Sequence, residues 1–252
     1  MSNNISDILN KFDKCSLSEM DSVKLMNRVD TKYILNKTDF LDVFKLLHKD
    51  YFCLEIKGKS LLSYKNQYFD DSIFRCFHDH HRKKTNRFKI RIRKYVESDI
   101  CFLEVKKKKK GRTDKERILV DGFVDKLDEK KLNYIQQRVN KEIRFSPTLW
   151  NDFQRITLVS KTEAERLTLD FNLSFEFEGK KKTYPNIIIA ELKQGKANRT
   201  SVFFKELKNR LIRPYRISKY CIGTMDLYSN KKIKSNRFKK KYLYINKLNK
   251  AC

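Results

Sequence analysis

Apolar and cationic residues alternate along the segment Phe88-Lys89-Ile90-Arg91-Ile92-Arg93-Lys94-Tyr95. Successive side chains of a β-strand point to opposite faces, so this segment would carry an apolar row on one face and a cationic row on the other. Several later segments repeat the alternation, with ionisable residues at every second position. The pattern predicts a sheet with one buried face and one face that collects charged groups, as in a pocket or tunnel for a polyanion.

The repeats form short predicted strands that follow one another closely. Residues 87–95 and 100–107 flank the turn Glu97-Ser98-Asp99, which is typical of a hairpin. Further predicted strands cover residues 27–35, 52–57, 61–69, 115–121, 153–160, 164–171 and 186–193. Predicted helices cover residues 38–48, with Thr38 as N-cap, 125–142, 200–212 and 216–228, while 71–86 reads as a polar loop with a short helical piece. Consecutive short strands favour antiparallel pairing and an α+β fold.

The composition points to an anionic partner. Lys and Arg number 58 against 31 Asp and Glu, which gives a formal net charge of +27. Nucleic acid, an anionic membrane and polyphosphate all fit such a charge. Between Arg82 and Arg117 there are sixteen Lys or Arg residues and five Asp or Glu residues. A closed barrel with an inward polar face would gather these charges round one lumen, where a polyanion and a divalent metal would relieve their repulsion.

One strand combines a buried pattern with charged groups. Residues 187–190 are apolar on both faces, whereas Glu191 and Lys193 follow on one face. A carboxylate and an ammonium group in a buried strand are usually paired or bind a ligand. Arginine forks bind phosphate oxygens, lysine adds point charge, and a carboxylate can hold Mg²⁺ or Mn²⁺. Such a set suits phosphoryl transfer, which requires no covalent nucleophile.

Several other classes of site are not indicated. The chain has neither a G-x-x-x-x-G-K-[ST] loop nor a G-x-G-x-x-G motif, and its six cysteines show no C-x-x-C spacing. It also lacks an apolar signal region and any run of the ~20 apolar residues that a spanning helix needs, so a cytoplasmic protein is predicted. The segment His78-Asp79-His80-His81 resembles a metal cluster in composition, but its polar surroundings favour a solvated surface.

A series of motifs appears in a fixed order along the chain. They are Lys32-Tyr33, Tyr68-Phe69-Asp70, Arg91 with Arg93, Glu104 with Lys106, Lys115 with Arg117, Phe153-Gln154-Arg155, Glu191 with Lys193, and Arg216-Ile217-Ser218-Lys219-Tyr220. Over about residues 25–228 the chain thereby resembles the polyphosphate polymerase domain of the vacuolar transporter chaperone (VTC) complex. That domain is one of the triphosphate tunnel metalloenzymes, which are related to the CYTH phosphatases. Phe153 stands where the family has Tyr, so one hydroxyl is missing.

The resemblance implies an α+β fold with an eight-stranded antiparallel β-barrel and helices packed outside. Residues 1–229 would form one tunnel domain and residues 230–252 a basic tail, which is either a helix or a mobile arm. The implied activity transfers the ATP γ-phosphoryl group to a growing polyphosphate chain. The implied catalytic residues are Lys32, Arg91, Arg93, Lys106, Arg155 and Lys219; the implied phosphate-binding residues are Lys115, Arg117, Lys193, Arg216 and Ser218. Glu191 would hold Mn²⁺ or Mg²⁺, and Glu104 would be a salt-bridge partner or lie near the metal.

Two other functions stay open at this point. One is a hydrolase of tripolyphosphate or nucleoside triphosphates with the same tunnel fold. Its branch would carry Glu-x-Glu-x-Lys on the first strand, whereas this strand reads Arg28-Val29-Asp30-Thr31-Lys32, which favours the polymerase. The other is a non-enzymatic binder of polyanions or nucleic acid. Nucleic acid is the least favoured partner, because neither an RNA-binding aromatic motif nor a helix-turn-helix signal is evident.

Overall fold

A computed structural model describes residues 2–22, 28–110, 112–139, 142–228 and 233–250. The strands are β1 Lys14–Cys15, β2 Val29–Asn36, β3 Tyr51–Leu54, β4 Leu62–Asp70, β5 Arg87–Tyr95, β6 Ile100–Lys109, β7 Arg112–Val120, β8 Ser146–Ser160, β9 Glu165–Phe177, β10 Lys180–Tyr184 and β11 Ile187–Gln194. The α-helices are α1 Ser2–Leu9, α2 Leu17–Ser22, α3 Lys37–Leu46, α4 Arg75–His81, α5 Glu129–Val139, α6 Val202–Asn209, α7 Lys219–Leu227 and α8 Asn236–Lys250. A 3₁₀ turn at Leu47–Lys49 follows α3.

The strands form one large sheet of 11 strands, with eight of them in the order β2-β11-β9-β8-β4-β5-β6-β7. Every pair along this path is antiparallel, and the short pair β1–β3 beside it is parallel. The predicted α+β class is thus confirmed, but the predicted closed barrel is not. Within the described residues β2 pairs only with β11 and β7 only with β6, and β7 is exposed along most of its length.

The sheet nevertheless curls strongly. In a flat sheet, the six steps from β2 to β6 at about 4.8 Å each would separate these strands by roughly 29 Å. Yet the charges of Lys32 on β2 and Lys106 on β6 act on one another, and Asp30 on β2 acts on Lys106. The polar sides of the two strands therefore face each other across a concave surface.

Two apolar clusters pack against this sheet. One packs α1, α3 and α6 against β2, β11, β9 and β8, with Phe40, Leu169 and Ile188 at its centre. The other is larger and includes Ile90 and Ile92 of β5, both fully buried. Burial of each such side chain stabilises the fold by about 1.5–3 kcal/mol. The apolar row of the β5 pattern is therefore buried, as the alternation predicts.

The main sequence-based errors concern where elements begin and end. Helix α3 starts at Lys37, because the Asn36 side chain accepts a hydrogen bond from the Asp39 N–H and acts as N-cap, which corrects Thr38. Strand β8 begins at Ser146 and β9 runs to Phe177, so both are longer than predicted, and β10 was not predicted. The basic tail contains α8, and none of the helices in the described residues is long and apolar enough to cross a membrane.

Helix α7 lies unusually close to the sheet. A Cβ added at Gly223 would come within 2.9 Å of the Leu149 side chain and still closer to Phe175, so only glycine allows this approach. The Ser218 side chain caps the helix by accepting a hydrogen bond from the Cys221 N–H. This packing fixes the first turn of α7, with Lys219, beside the polar side of the sheet.

Candidate functional site

The concave side of the sheet carries most of the ionisable residues that the sequence singles out. Cross-strand partners in an antiparallel sheet share one face, so the register places them together. Lys32 pairs with Glu191, Arg91 with Glu104, Glu104 with Arg117, Lys106 with Lys115, and Arg155 with Asp170. We call this surface the polar face. Three carboxylates on it each contact two cations.

The first carboxylate is Glu191 of β11. Its oxygens contact the Nζ of Lys32 and, at 3.5 Å, the Nζ of Lys193. The Glu191 side chain is only 16% exposed, so the group is held at the floor of the polar face. The single carboxylate offsets part of the positive charge of these two lysines, and burial lowers the pKa of Lys32 to about 6 and that of Lys193 to about 7.

The second carboxylate is Glu104 of β6, which is 2% exposed. It accepts hydrogen bonds from Arg91 Nε at 2.9 Å and Arg91 Nη2 at 2.6 Å, and Lys115 Nζ lies 3.4 Å from its other oxygen. Burial alone would raise the pKa of Glu104, but Arg91, Arg93 and Lys115 hold it well below its usual range. Glu104 is therefore an ion-pair partner of Arg91 and Lys115. A position near a metal stays a prediction.

The third carboxylate is Asp170 of β9, which sequence reasoning did not include among the site residues. It accepts hydrogen bonds from Arg155 Nε at 2.5 Å and Nη2 at 2.8 Å, and from Lys219 Nζ of α7. Burial would raise the pKa of Asp170, but Arg155 and Lys219 hold it well below its usual range. We call these nine residues the paired cluster: Lys32, Lys193, Glu191, Arg91, Lys115, Glu104, Arg155, Lys219 and Asp170.

Aromatic rings support the cations of this cluster. The ring of Phe153 lies 4.3 Å from Lys219 Nζ and 5.3 Å from the guanidinium carbon of Arg155. It stacks on Tyr64 with the two ring planes only 3° apart. Such contacts stabilise cations without using their N–H donors. At position 153 the ring face, which phenylalanine retains, makes these contacts.

The motif Tyr68-Phe69-Asp70 connects the polar face to two helices. Tyr68 OH lies 3.2 Å from Arg91 Nη1. Asp70 is fully buried, accepts hydrogen bonds from the Cys76 and Phe77 N–H groups of α4, and receives the Tyr220 hydroxyl of α7 at 2.5 Å. The motif thus helps to fix the position of α7 beside the polar face.

A second group of cations has no carboxylate partner. Lys89 and Lys106 are cross-strand partners, as are Arg87 and Lys108, and the charge of the exposed Arg216 acts on Arg87. We call Arg87, Lys89, Lys106, Lys108 and Arg216 the unpaired cluster. Lys89 Nζ donates to Ser218 Oγ at 2.9 Å, and within the described residues none of the five has a carboxylate at ion-pair distance.

The pKa of Lys106 reflects this arrangement. Water reaches its side chain, but the protein surrounds it on most sides. This burial, reinforced by the charges of Lys89 and Arg91, lowers the pKa of Lys106 to about 8. The unpaired cluster therefore has unused positive charge and free N–H donors, which is the requirement for binding phosphate.

The structure brings nearly all of the predicted site residues to the polar face. Arg93 is buried and donates to Asn66 Oδ1 at 2.8 Å, whereas Arg117 is exposed with its guanidinium carbon 4.3 Å from the Phe102 ring. Sequence reasoning missed Lys89, Asp170 and Asn66 as site residues. The signal for the first two was present, because both follow the period-two pattern of their strands. Asn66 gave no such signal.

The histidine segment is more ordered than predicted. His81 is 6% exposed, and its Nε2 accepts the Arg237 N–H of α8 at 3.0 Å, so the solvated-surface interpretation is wrong for this residue. Asp79 is also buried and pairs with Lys84 at 2.7 Å. No group of three His, Cys, Asp or Glu residues that could hold a metal occurs in the described parts of the chain.

Glu191 fits the divalent cation that the resemblance implies. Mg²⁺ usually takes one or two protein carboxylates and fills its remaining positions with waters and substrate phosphates. Glu191 offers one hard oxygen donor group on the polar face, between lysines that could turn to phosphate oxygens. An ion held there would take its other ligands from water and from a bound phosphate chain.

Residues 27–228 match the VTC domain family. The chain belongs to this family. No curated protein matches the sequence. Among solved structures, this VTC-domain chain is similar to a "putative adenylate cyclase" from Bacillus halodurans, at 15% identity and a TM-score of 0.50, over 76% of this chain and 94% of that one. A "putative adenylate cyclase" from Vibrio parahaemolyticus is 13% identical over 76% of this chain and 94% of that one, with a TM-score of 0.42. At these identities the likeness concerns the fold alone.

Proposed function

We propose that this VTC-domain chain is an ATP-dependent polyphosphate polymerase, which transfers the ATP γ-phosphoryl group to a growing polyphosphate chain. The observation that carries the proposal is the polar face, on which the paired cluster adjoins the unpaired cluster. A triphosphate and a longer phosphate chain can therefore lie on one continuous cationic surface. Transfer between them needs positioning and charge stabilisation, not a protein nucleophile.

The roles of individual residues follow from their contacts. Arg91, Arg155 and Lys219 are held in fixed orientations by carboxylates and rings, so they are suited to position the reacting phosphates. Lys32 and Lys193 would turn from Glu191 to phosphate oxygens when Glu191 takes Mn²⁺ or Mg²⁺. The metal, when bound, would neutralise charge on the phosphates. Arg93, Lys106, Lys115, Arg117, Arg216 and Ser218 complete the predicted phosphate contacts.

The polymerase is preferred over the hydrolase because of the first strand. Arg28 Nε donates to Asp30 Oδ1 at 2.9 Å, so a cation stands where the hydrolytic branch would have its first glutamate. We further propose a cytoplasmic location, since the five described cysteines are free and buried, as in a reducing compartment.

The test is incubation of the purified protein with ATP and Mn²⁺. We expect ADP together with a long phosphate polymer. ADP with only free phosphate would contradict the polymerase and support the tunnel hydrolase. No turnover at all, combined with a Glu191→Gln variant that binds polyanions as tightly as the unaltered protein does, would support a non-enzymatic binder.

A further inference from the structure

Helix α8 lies beyond the family match at residues 27–228 and still packs on the folded chain. Ile245 is 2% exposed, and the Phe238 ring contacts the rings of Phe77 and His81. Tyr242 OH donates to Asp226 Oδ1 of α7 at 2.7 Å. These contacts hold α8 against α4 and the last turn of α7, so the helical part of the basic tail belongs to the fold.

This position brings Lys241 of α8 to the unpaired cluster. Lys241 Nζ donates to the Arg216 carbonyl at 2.8 Å and lies 5.6 Å from the centre of the Tyr215 ring. Its ammonium group therefore retains N–H donors for a further partner. Burial, with Lys83 and Arg216 next in importance, lowers the pKa of Lys241.

His80 of α4 lies near Lys241 and the unpaired cluster. Its Nδ1 is buried and has no hydrogen-bond partner within the described residues. Burial, followed by the charges of Lys89 and Arg87, holds the pKa of His80 far below its ordinary value, and the charges of Lys241 and Lys108 act in the same direction. Among the described residues, four elements thus direct cations to one place beside His80: β5, β6, the segment before α7, and α8. None of these cations has a carboxylate at ion-pair distance within the described residues.

We propose that the unpaired cluster and Lys241 form a second site for phosphate chains, which holds the part of a polyphosphate that extends beyond the reacting triphosphate. This inference rests on the proposed function. The two clusters are continuous, because Lys89 of the unpaired cluster contacts Ser218, directly before Lys219 of the paired cluster. A linear polyanion fits such a surface, since each phosphate can replace solvent around an uncompensated cation.

The experiment measures equilibrium binding of two probes, long-chain polyphosphate and tripolyphosphate, without nucleotide or metal. We expect Lys241→Gln to weaken binding of the long chain about fivefold, which corresponds to one partly screened charge contact of ~1 kcal/mol. Binding of tripolyphosphate should change less than the long-chain binding. Arg87→Gln, on a different element, should give the same pattern.

The matched control is Lys239→Gln. Lys239 is exposed and lies about 200° round α8 from Lys241. Its substitution therefore removes the same charge from the opposite side of the helix. If Lys239→Gln and Lys241→Gln weaken long-chain binding equally, the loss is a general effect of net charge and the second site is wrong. Unchanged long-chain binding in both Lys241→Gln and Arg87→Gln would also overturn it.

Two further measurements distinguish a phosphate-chain site from a membrane-binding surface, and the second site from the proposed activity. Loss of binding to anionic lipid vesicles in Lys241→Gln, with long-chain polyphosphate binding unchanged, would assign the cluster to a membrane surface and overturn the proposal. Polymer synthesis by the unaltered protein is measured separately. If synthesis fails while Lys241→Gln still selectively weakens long-chain binding, the proposed activity is wrong and the second site stands.

Discussion

The paired and unpaired clusters lie side by side on the polar face, and they differ in whether their cations contact carboxylates. In the paired cluster three carboxylates contact six cations, and two of them, Glu104 and Asp170, are almost fully buried. In the unpaired cluster the cations remain partly accessible to water and face one another. The cations of the paired cluster already have carboxylate partners, whereas those of the unpaired cluster have none at ion-pair distance within the described residues and keep N–H groups for a ligand. The paired cluster is therefore suited to position the reacting phosphates, and the unpaired cluster is suited to attract and bind the phosphate chain.

The largest expected effect concerns Asp170. Asp170→Asn would leave Arg155 and Lys219 buried without their carboxylate, so we expect the free energy of unfolding to fall by about 3–5 kcal/mol. Chemical denaturation measures this. The matched control, Asp42→Asn, removes the same charge from an exposed pair with Lys45 and should change stability by less than ~0.5 kcal/mol. Equal effects would show that Asp170 is not a structural centre of the paired cluster.

Glu191 is the member of the paired cluster that we expect to act in turnover. Glu191→Gln should lower metal-dependent turnover by about 100-fold or more, because the metal would lose its protein carboxylate. It also releases Lys32 and Lys193, so tripolyphosphate should bind as tightly as before, or more tightly, in the presence of a chelator. Glu206→Gln on α6, which removes the partner of Arg210, is the control. Weaker metal-free binding by Glu191→Gln would argue against this role.

The unpaired cluster should make phosphate binding depend on pH. The pKa of Lys106 is lowered to about 8 in the free protein, and a bound phosphate would raise it again. Affinity for long-chain polyphosphate should therefore be constant below about pH 8 with respect to this group, and fall above it by at most tenfold per pH unit. Titration calorimetry across this range measures the fall. Lys106→Arg keeps the charge at every pH and should remove this component; a persistent fall would assign it to other groups.

The smallest effect contrasts two lysines. Lys89→Gln should raise the free energy of unfolding by roughly 0.5 kcal/mol, since it relieves repulsion with its cross-strand partner Lys106. Lys115→Gln should lower it by a similar amount, because Lys115 is a partner of Glu104. Thermal unfolding at low salt measures both. Changes of the same sign would show that carboxylate pairing does not distinguish the two clusters.

The strands could be predicted because their pattern is local. Apolar residues at every second position identified β5 and β6, and Ile90 and Ile92 are buried accordingly. Strand β10 was missed because Lys180–Tyr184 is mostly charged and exposed, and takes its place only by pairing with β9. The predicted closure failed for a similar reason: whether β2 and β7 meet depends on the curvature of the whole sheet, which no local pattern determines. The division of the chain at residue 229 stays a prediction.

The sequence by itself determined which side chains share a face and that this face is cationic, because the alternation of a strand follows directly from its backbone geometry. It also identified the family through the order of its motifs, which the match over residues 27–228 confirms. Only the tertiary structure decided which cations are paired. Asp170 meets Lys219, 49 residues away, and Lys241 meets Arg216, because α7 and α8 pack against the curved sheet. Pairing depends on distances between elements, and those distances arise only when the elements pack together.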